Sequence, residues 1–394
     1  MRIKYNSIKR LFMELAIAGY VSLYYFEEDF HSIWWLLLFA WLFIFAITIM
    51  KNGVRIKGKF FYPILIMTFF SLFTLAFSQD QANSLTMLKE VWIVAFYSIT
   101  VILSIERKEE VVNVWHALFV GGVIAAIYQL MHIDWSALSG NASYLNRFTL
   151  SDRLFVNTFA YQLVISFFAG YRVFIYYKQS EERIKYILSF FGMILILVGA
   201  FFTGSRKVLI AIPLFLIVAL TRGKKNFGKL IVVFVAVLFI YQLLINVPVL
   251  YNSVGWRLEI LGVGSTDESS IERSQLMRDA FNTGINNPFG VGLDGSKYYS
   301  TGREVYAHSN YLELFADFGW FGFIAFFFMY IYILRRMFRY KKNNKALSNF
   351  YVATFVTMMF IELTQVVYYN FVYHMCLMIF LYYSGNINPQ KERI

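Results

Sequence analysis

The chain has 394 residues, 59% of them hydrophobic, and a formal net charge of +12. No soluble domain hides that much apolar surface, and repeated runs are long enough to cross a hydrocarbon core of ~30 Å. Backbone groups in lipid need internal partners, and the runs are too long and evenly apolar for a barrel, so the composition excludes a soluble fold and predicts an all-α polytopic membrane protein.

Twelve membrane-spanning helices are predicted in chain order. They cover 11–26, 33–50, 60–78, 91–105, 111–131, 154–171, 186–202, 207–221, 230–247, 318–334, 347–366 and 371–384. The eighth and the last are short, which implies that they start in neighbouring polar segments or sit in thinned bilayer. Neither a cleavable leader nor a soluble domain at either end is expected, so residues 1–394 read as a single integral membrane domain.

The connecting segments set the orientation. With the N-terminus inside, 26 of the 36 Lys and Arg residues fall on inner segments and 10 on outer ones. Positive residues collect on the cytoplasmic side, so both termini are expected in the cytoplasm. The same rule explains the net charge without a nucleic-acid partner. The segment 248–317 then becomes a large external loop before the tenth span. Cys376 is the only cysteine, so that loop has no disulfide to shape it. Asn141-Ala142-Ser143 fits a glycosylation acceptor pattern, a pattern that is common by chance.

Four stretches carry candidate chemistry. Phe202-Thr203-Gly204-Ser205-Arg206-Lys207 joins two apolar runs almost without a loop. Arg at a helix end usually anchors to headgroups. Here Thr203 or Ser205 is placed to cap the next helix, and a helix N-terminus beside a guanidinium suits phosphate. Residues 269–279 (SSIERSQLMRD) read as a short surface helix carrying Arg273 and Arg278. Residues 307–313 (AHSNYLE) set His308 beside Ser309, Asn310 and Glu313 at a helix start, where a histidine can act as a base near neutral pH. The other histidines, His31, His116, His132 and His374, carry no such setting; His116 and His374 are expected to be packed or hydrogen-bonded within spans.

Residues 290–295 (GVGLDG) match a dinucleotide-binding spacing, but no strand–helix unit surrounds them, so they read as a turn-rich loop after Asn287-Pro288. No metal-ligand spacing stands out, and neither a metal nor a cofactor is expected. Glu14 and Glu362 lie in apolar runs and are expected to hydrogen-bond inside the bundle.

Taken together, TGSRKVL at 203–209, ERSQLMRDAFNTGINNPFGVGL at 272–293 and AHSNYLELFADFGWFG at 307–322 resemble the O-antigen ligase and polymerase superfamily in order, spacing and sidedness. The resemblance covers about 203–322; the first 150 residues match only in being hydrophobic. It implies a GT-C-like glycosyltransferase acting on the outer face of a bacterial cytoplasmic membrane, where no ATP or nucleotide sugar is normally available. The implied donor is a polyprenyl-diphosphate-linked oligosaccharide, and membrane lipid surrounds its tail.

The family's Arg in the short turn, Arg in the loop helix and His before the next span fall on Arg206, Arg273 and His308. Arg206 and Arg273 would grip diphosphate, with Ser205, Asn310, Arg278 and Arg257 as further substrate contacts. Arg147 and Arg153 have no clear counterpart in the family. His308 would take the acceptor proton or orient the acceptor, and Glu313 would be the alternative base or orient His308. The loop segments resemble polymerases more than ligases. A polymerase of surface polysaccharide, O-antigen or capsule, is thus expected, with a separate chain-length regulator as a possible partner. The rival enzyme transfers glycan to lipid A–core. The rivals from other classes are a flippase, whose binding groups belong near the bilayer midplane, and a structural scaffold.

Overall fold

The computed structural model describes residues 2–23, 28–52, 58–133, 156–221, 227–251, 255, 268–301, 305–340 and 345–385. Among them every regular element is helical. A helix lies on each of the twelve expected spans: α1 (Arg2–Leu23), α2 (Glu28–Asn52), α3 (Tyr62–Thr74), α4 (Gln81–Leu103), α5 (Val111–Met131), α6 (Val156–Gln179), α7 (Arg183–Phe202), α8 (Arg206–Thr221), α9 (Phe227–Asn246), α11 (Asn310–Tyr340), α12 (Lys345–Glu362) and α13 (Phe371–Gly385). An additional helix, α10 (Glu268–Asn286), lies in the segment before α11. Six helices are long and apolar enough to cross a membrane among the described residues, which makes this a polytopic membrane protein.

Contacts divide the chain into two compact units. The first comprises 1–54 and 104–265. In it α5 packs against α1, α6 and α7. Small residues bring the backbones close, as is usual where lipid offers no hydrophobic drive between helices. A Cβ on Gly122 would lie 2.2 Å from Ser166 Cβ, and one on Gly121 2.8 Å from the Ala18 carbonyl oxygen. Phe168 of α6 stacks on Phe215 of α8 at 4.1 Å.

The second unit comprises 55–103 and 266–394. Its hub is α11, which packs against α3, α10, α12 and α13. Met375, Cys376 and Phe380 of α13 are all fully buried. That helix is apolar on every side, as a helix enclosed by protein should be. Polar side chains in the helices are satisfied locally: Ser98 and Thr354 donate to carbonyls one turn back at 2.8 and 2.9 Å.

Hydropathy alone misplaced several helix starts. α4 begins ten residues before the apolar run because Asp80 caps it: its Oδ1 accepts the Asn83 N–H at 2.9 Å. α10 continues past Asp279 to Asn286. α11 begins at Asn310 and bends at Gly319, where φ is 65° and ψ −167°.

Candidate functional site

The described part of the site lies in the second unit, on α10, the segment before α11, and the first turns of α11. Helix α10 presents one buried edge, with Leu276, Ala280, Thr283 and Gly284 facing inward. Ala280 packs with Ala307 and Ala316, and Leu312 closes over them. Gly284 admits the Phe315 ring, since a Cβ there would meet its Cδ1 at 2.4 Å. These contacts seat α10 directly on the start of α11.

The connection between the two helices is tied at both ends. Asp279 Oδ2 accepts the Thr301 N–H at 2.9 Å and its hydroxyl at 2.7 Å, while Gln275 Nε2 donates to Thr301 Oγ1 at 2.5 Å. The loop 290–299 then folds against α11. Asp317 is fully buried, and its carboxylate accepts the N–H groups of Asp294 at 2.7 Å and Ser296 at 3.0 Å. The Val291 and Gly292 N–H groups donate to the Ala316 and Asp317 carbonyls. On its other side Asn83 Nδ2 donates to Asp294 Oδ2 at 2.9 Å, and Ser84 Oγ donates to the Leu293 carbonyl at 2.8 Å. The expected turn-rich loop is thus present, and its backbone donors go to protein acceptors rather than forming a nucleotide cradle.

His308 sits in this frame with φ +56°, a left-handed conformation uncommon for a side-chain-bearing residue. Its ring meets Tyr306 edge-on with centroids 4.4 Å apart. Burial raises the pKa of the Tyr306 hydroxyl, the nearby Arg273 charge lowers it, and Glu313 raises it. The Tyr306 hydroxyl therefore feels both the Arg273 and the Glu313 charge, and its ring contacts His308. Nothing in the sequence singled out Tyr306; a residue two before the histidine has no periodicity to mark its ring contact.

Glu313 is fully buried and reaches back to the loop: Oε2 accepts the Ala307 N–H at 2.6 Å. Glu313 thus grips the residue before His308. The hydroxyl of Ser296 and Glu313 Oε1 are both buried, and the Ser296 hydroxyl interacts with that carboxyl. Asn310, also fully buried, turns the other way. Its Nδ2 donates to Glu362 Oε2 at 2.8 Å, and its Oδ1 accepts the Val367 N–H at 3.1 Å. Tyr330 donates to the same Glu362 oxygen at 2.7 Å and shares a hydrogen bond with Tyr373. Asn310 is therefore occupied in fastening α11 to α12 and the turn after it. Glu362 hydrogen-bonds inside the bundle, and so does His374, whose Nε2 meets the Tyr368 carbonyl at 2.6 Å.

Arg278 lies on the exposed side of α10, whereas Arg273 is half-buried. Arg257, Arg147 and Arg153 lie outside the described residues, as do Arg303 and the glycosylation-like Asn141. Arg206 and Ser205 belong to the first unit. There Gly204, at φ +61°, ends α7 in the left-handed conformation a helix terminus favours. The Thr203 hydroxyl accepts the Ser205 N–H at 3.2 Å, and Ser205 Oγ donates to Asn157 Oδ1 at 3.2 Å. The Ser205 hydroxyl thus faces α6, while Arg206, half-buried, opens α8, where the Val208 N–H donates to the Ser205 carbonyl at 3.1 Å.

Among the described residues no group of three or more His, Cys, Asp or Glu could hold a metal ion. The chemistry available is cationic and acid–base: guanidinium groups for a phosphate, an imidazole on a strained turn, and buried carboxylates beneath it.

A comparison with curated proteins returned no match. A family model described as O-antigen ligase matches residues 191–327, a stretch that runs from within α7 through Arg206, Arg273, His308 and Glu313 into α11. Over those residues the chain is similar to the O-antigen ligase family, which supports the O-antigen ligase/polymerase superfamily.

Proposed function

We propose that the protein is a polymerase, joining polyprenyl-diphosphate-linked oligosaccharide repeat units into a surface polysaccharide on the outer face of the cytoplasmic membrane. The observation that supports this reading most is that, within the family-matched stretch, Tyr306 contacts the His308 ring and feels the Arg273 charge, while Glu313 holds the backbone of the residue before His308.

In the proposed reaction an acceptor sugar hydroxyl attacks the donor's anomeric carbon. A new C–O bond forms, the bond to diphosphate breaks, and its electron pair leaves on a phosphate oxygen. Arg273 and Arg206 stabilise the charge that grows there; fixed guanidinium groups do this without reorganising. His308 takes the acceptor proton. Glu313 holds the backbone beneath the imidazole. No metal is required in this scheme, because the leaving diphosphate is met by side-chain cations.

Reconstitution tests it. The purified protein, given lipid-diphosphate repeat units alone, should yield a ladder of lengthening products. Transfer that occurs only after lipid A–core is added would support the ligase instead. Movement of intact donor across vesicles without new glycosidic bonds would replace both with a transporter.

A further inference from the structure

The first unit contains a second polar cluster, separate in sequence from the residues of the proposed reaction. It lies where the start of α1, the turn entering α5, and the turn between α6 and α7 come together. A cavity of about 310 Å³ opens there, with Lys9, Arg10, Arg107, Ser7 and Asn113 in its walls. A smaller one of about 120 Å³ adjoins it, sharing Arg10 and Asn113 and adding Lys185. The larger reaches the volume at which small-ligand sites begin.

The cations are held in a particular way. Lys9 is only 7% exposed, and its ammonium donates to the Ser104 carbonyl at 3.0 Å and to Glu106 at 3.1 Å. An ammonium has three donors, so one is left over. Arg10 donates through Nε to Glu14 at 2.6 Å, and Arg107 through Nε to Glu110 at 3.0 Å. Each carboxylate takes one N–H from the inner edge of its guanidinium. Among the described residues the Nη groups of both arginines make no hydrogen bond, and neither does the Asn113 amide.

Ordinary surface ion pairs would account for the charges alone. They would not account for two guanidinium groups and a buried ammonium lining one cavity. The carboxylates fix the side chains without using the forked edge that binds phosphate in a bidentate way. The cavity also lies at the end of α5, a helix of membrane-crossing length, so it falls at the level where lipid headgroups sit.

We propose that this cavity is a binding site for a phosphate group, with Arg10 and Arg107 as its principal donors and Lys9 as the buried cation behind them. Two sources carry such a group: an anionic phospholipid of the adjoining leaflet and a soluble phosphate.

Native mass spectrometry of the full chain in detergent, with phosphatidylglycerol, phosphatidylcholine or inorganic phosphate added, tests it. Wild type should retain phosphatidylglycerol about tenfold better than phosphatidylcholine, because the choline ammonium offsets the phosphate charge and is repelled by Lys9, Arg10 and Arg107. If inorganic phosphate displaces that lipid or raises the melting temperature alone, the source is a soluble anion. If it does neither while the lipid is retained, the source is the leaflet. R10Q/R107Q should abolish the preference. N113W should abolish it too, by filling the cavity while leaving every ion pair in place, which covers the case in which the double variant fails to fold. Equal retention of the two lipids with no effect of phosphate overturns the proposal. So does an unchanged preference in a folded N113W.

Discussion

Glu313 accepts the backbone N–H of Ala307 at 2.6 Å from a fully buried carboxyl, and so fixes the residue on which His308 turns. The bond runs backwards over six residues, from the first turn of α11 into the loop that precedes it. His308 takes up its left-handed backbone directly beyond the anchored N–H. A strained conformation of this kind persists only where its surroundings over-determine it, and here those include the Glu313 carboxylate and the Tyr306 ring.

That bond separates two roles for Glu313. A glutamine keeps an acceptor for Ala307 but cannot act as a base. If Glu313 positions the loop, E313Q should retain most polymer formation, with its pH–rate profile unchanged. E313A should lose activity and destabilise the protein by about 1–3 kcal/mol, because a buried N–H is left without a partner. Initial rates across pH and melting temperatures in detergent decide it. An E313Q protein that folds normally yet makes no polymer would transfer the base role from His308 to Glu313.

Arg273 and Arg278 share a helix but not an environment. Arg273 is half-buried near Tyr306, whereas Arg278 is exposed. R273A should lower the rate by about 10²–10³-fold, the usual loss when one preplaced charge-stabilising donor is removed. R273K should recover only part, since an ammonium cannot grip phosphate with two parallel bonds. R278A should stay within a few-fold of wild type. Equal losses in R273A and R278A would place the diphosphate on the outer side of α10 instead. R206A and H308A should behave as R273A does, with the proteins still in the membrane at normal amounts.

The helices were legible because lipid demands long apolar runs, and a helix lies on every predicted one. Their polar ends were not, because hydropathy is blind to caps. Gln81–Glu90 is helical owing to Asp80 at its head, and Asp80 with Asn83 is a local signal that a capping argument finds. Helix α10 was read only to Asp279, yet it continues through Asn282-Thr283-Gly284 to Asn286. Gly284 is there to admit Phe315, and Thr283 returns its hydroxyl to the Asp279 carbonyl at 2.8 Å. Arg273, His308 and Glu313 were legible as residue types in order. That Asp317 gathers the loop N–H groups from 21 and 23 residues away was not, because no local pattern encodes a contact of that range.

The bend at Gly319 should tolerate no side chain. Its φ of 65° with ψ of −167° is a glycine conformation, and an added Cβ would lie 2.2 Å from the Pro288 carbonyl oxygen and 2.6 Å from the Gly290 nitrogen. The conformation alone costs about 1–3 kcal/mol for another residue, and the overlap adds to it. G319A should lower the melting temperature and reduce activity by displacing the loop that Asp317 holds. Gly228 provides the contrast, because a Cβ there meets nothing within 4 Å. G228A should be neutral or stabilise by up to about 1 kcal/mol, as expected for alanine in a helix. If both variants melt alike, close packing at the bend is not what requires glycine.

Acid should release the outer edge of the same loop before it unfolds the bundle. The Asp80 carboxyl is held below its ordinary value of 3.8, first by the Asn83 N–H and then by the Tyr298 hydroxyl. A depressed carboxyl contributes fully above its unfolded value, and the contribution disappears as pH falls through the folded value. The same bond has an alkaline limit: burial and then Asp80 raise the Tyr298 pKa, so its hydroxyl remains a donor beyond the ordinary tyrosine range. The loop anchor should therefore be constant from about pH 5 to 9 and weaken below pH ~4. D80N loses the charge at every pH. Melting temperatures of wild type and D80N should differ by a fixed amount near neutrality and converge as pH falls toward 3. Parallel curves through that range would mean that the Asp80 charge contributes nothing to holding Tyr298.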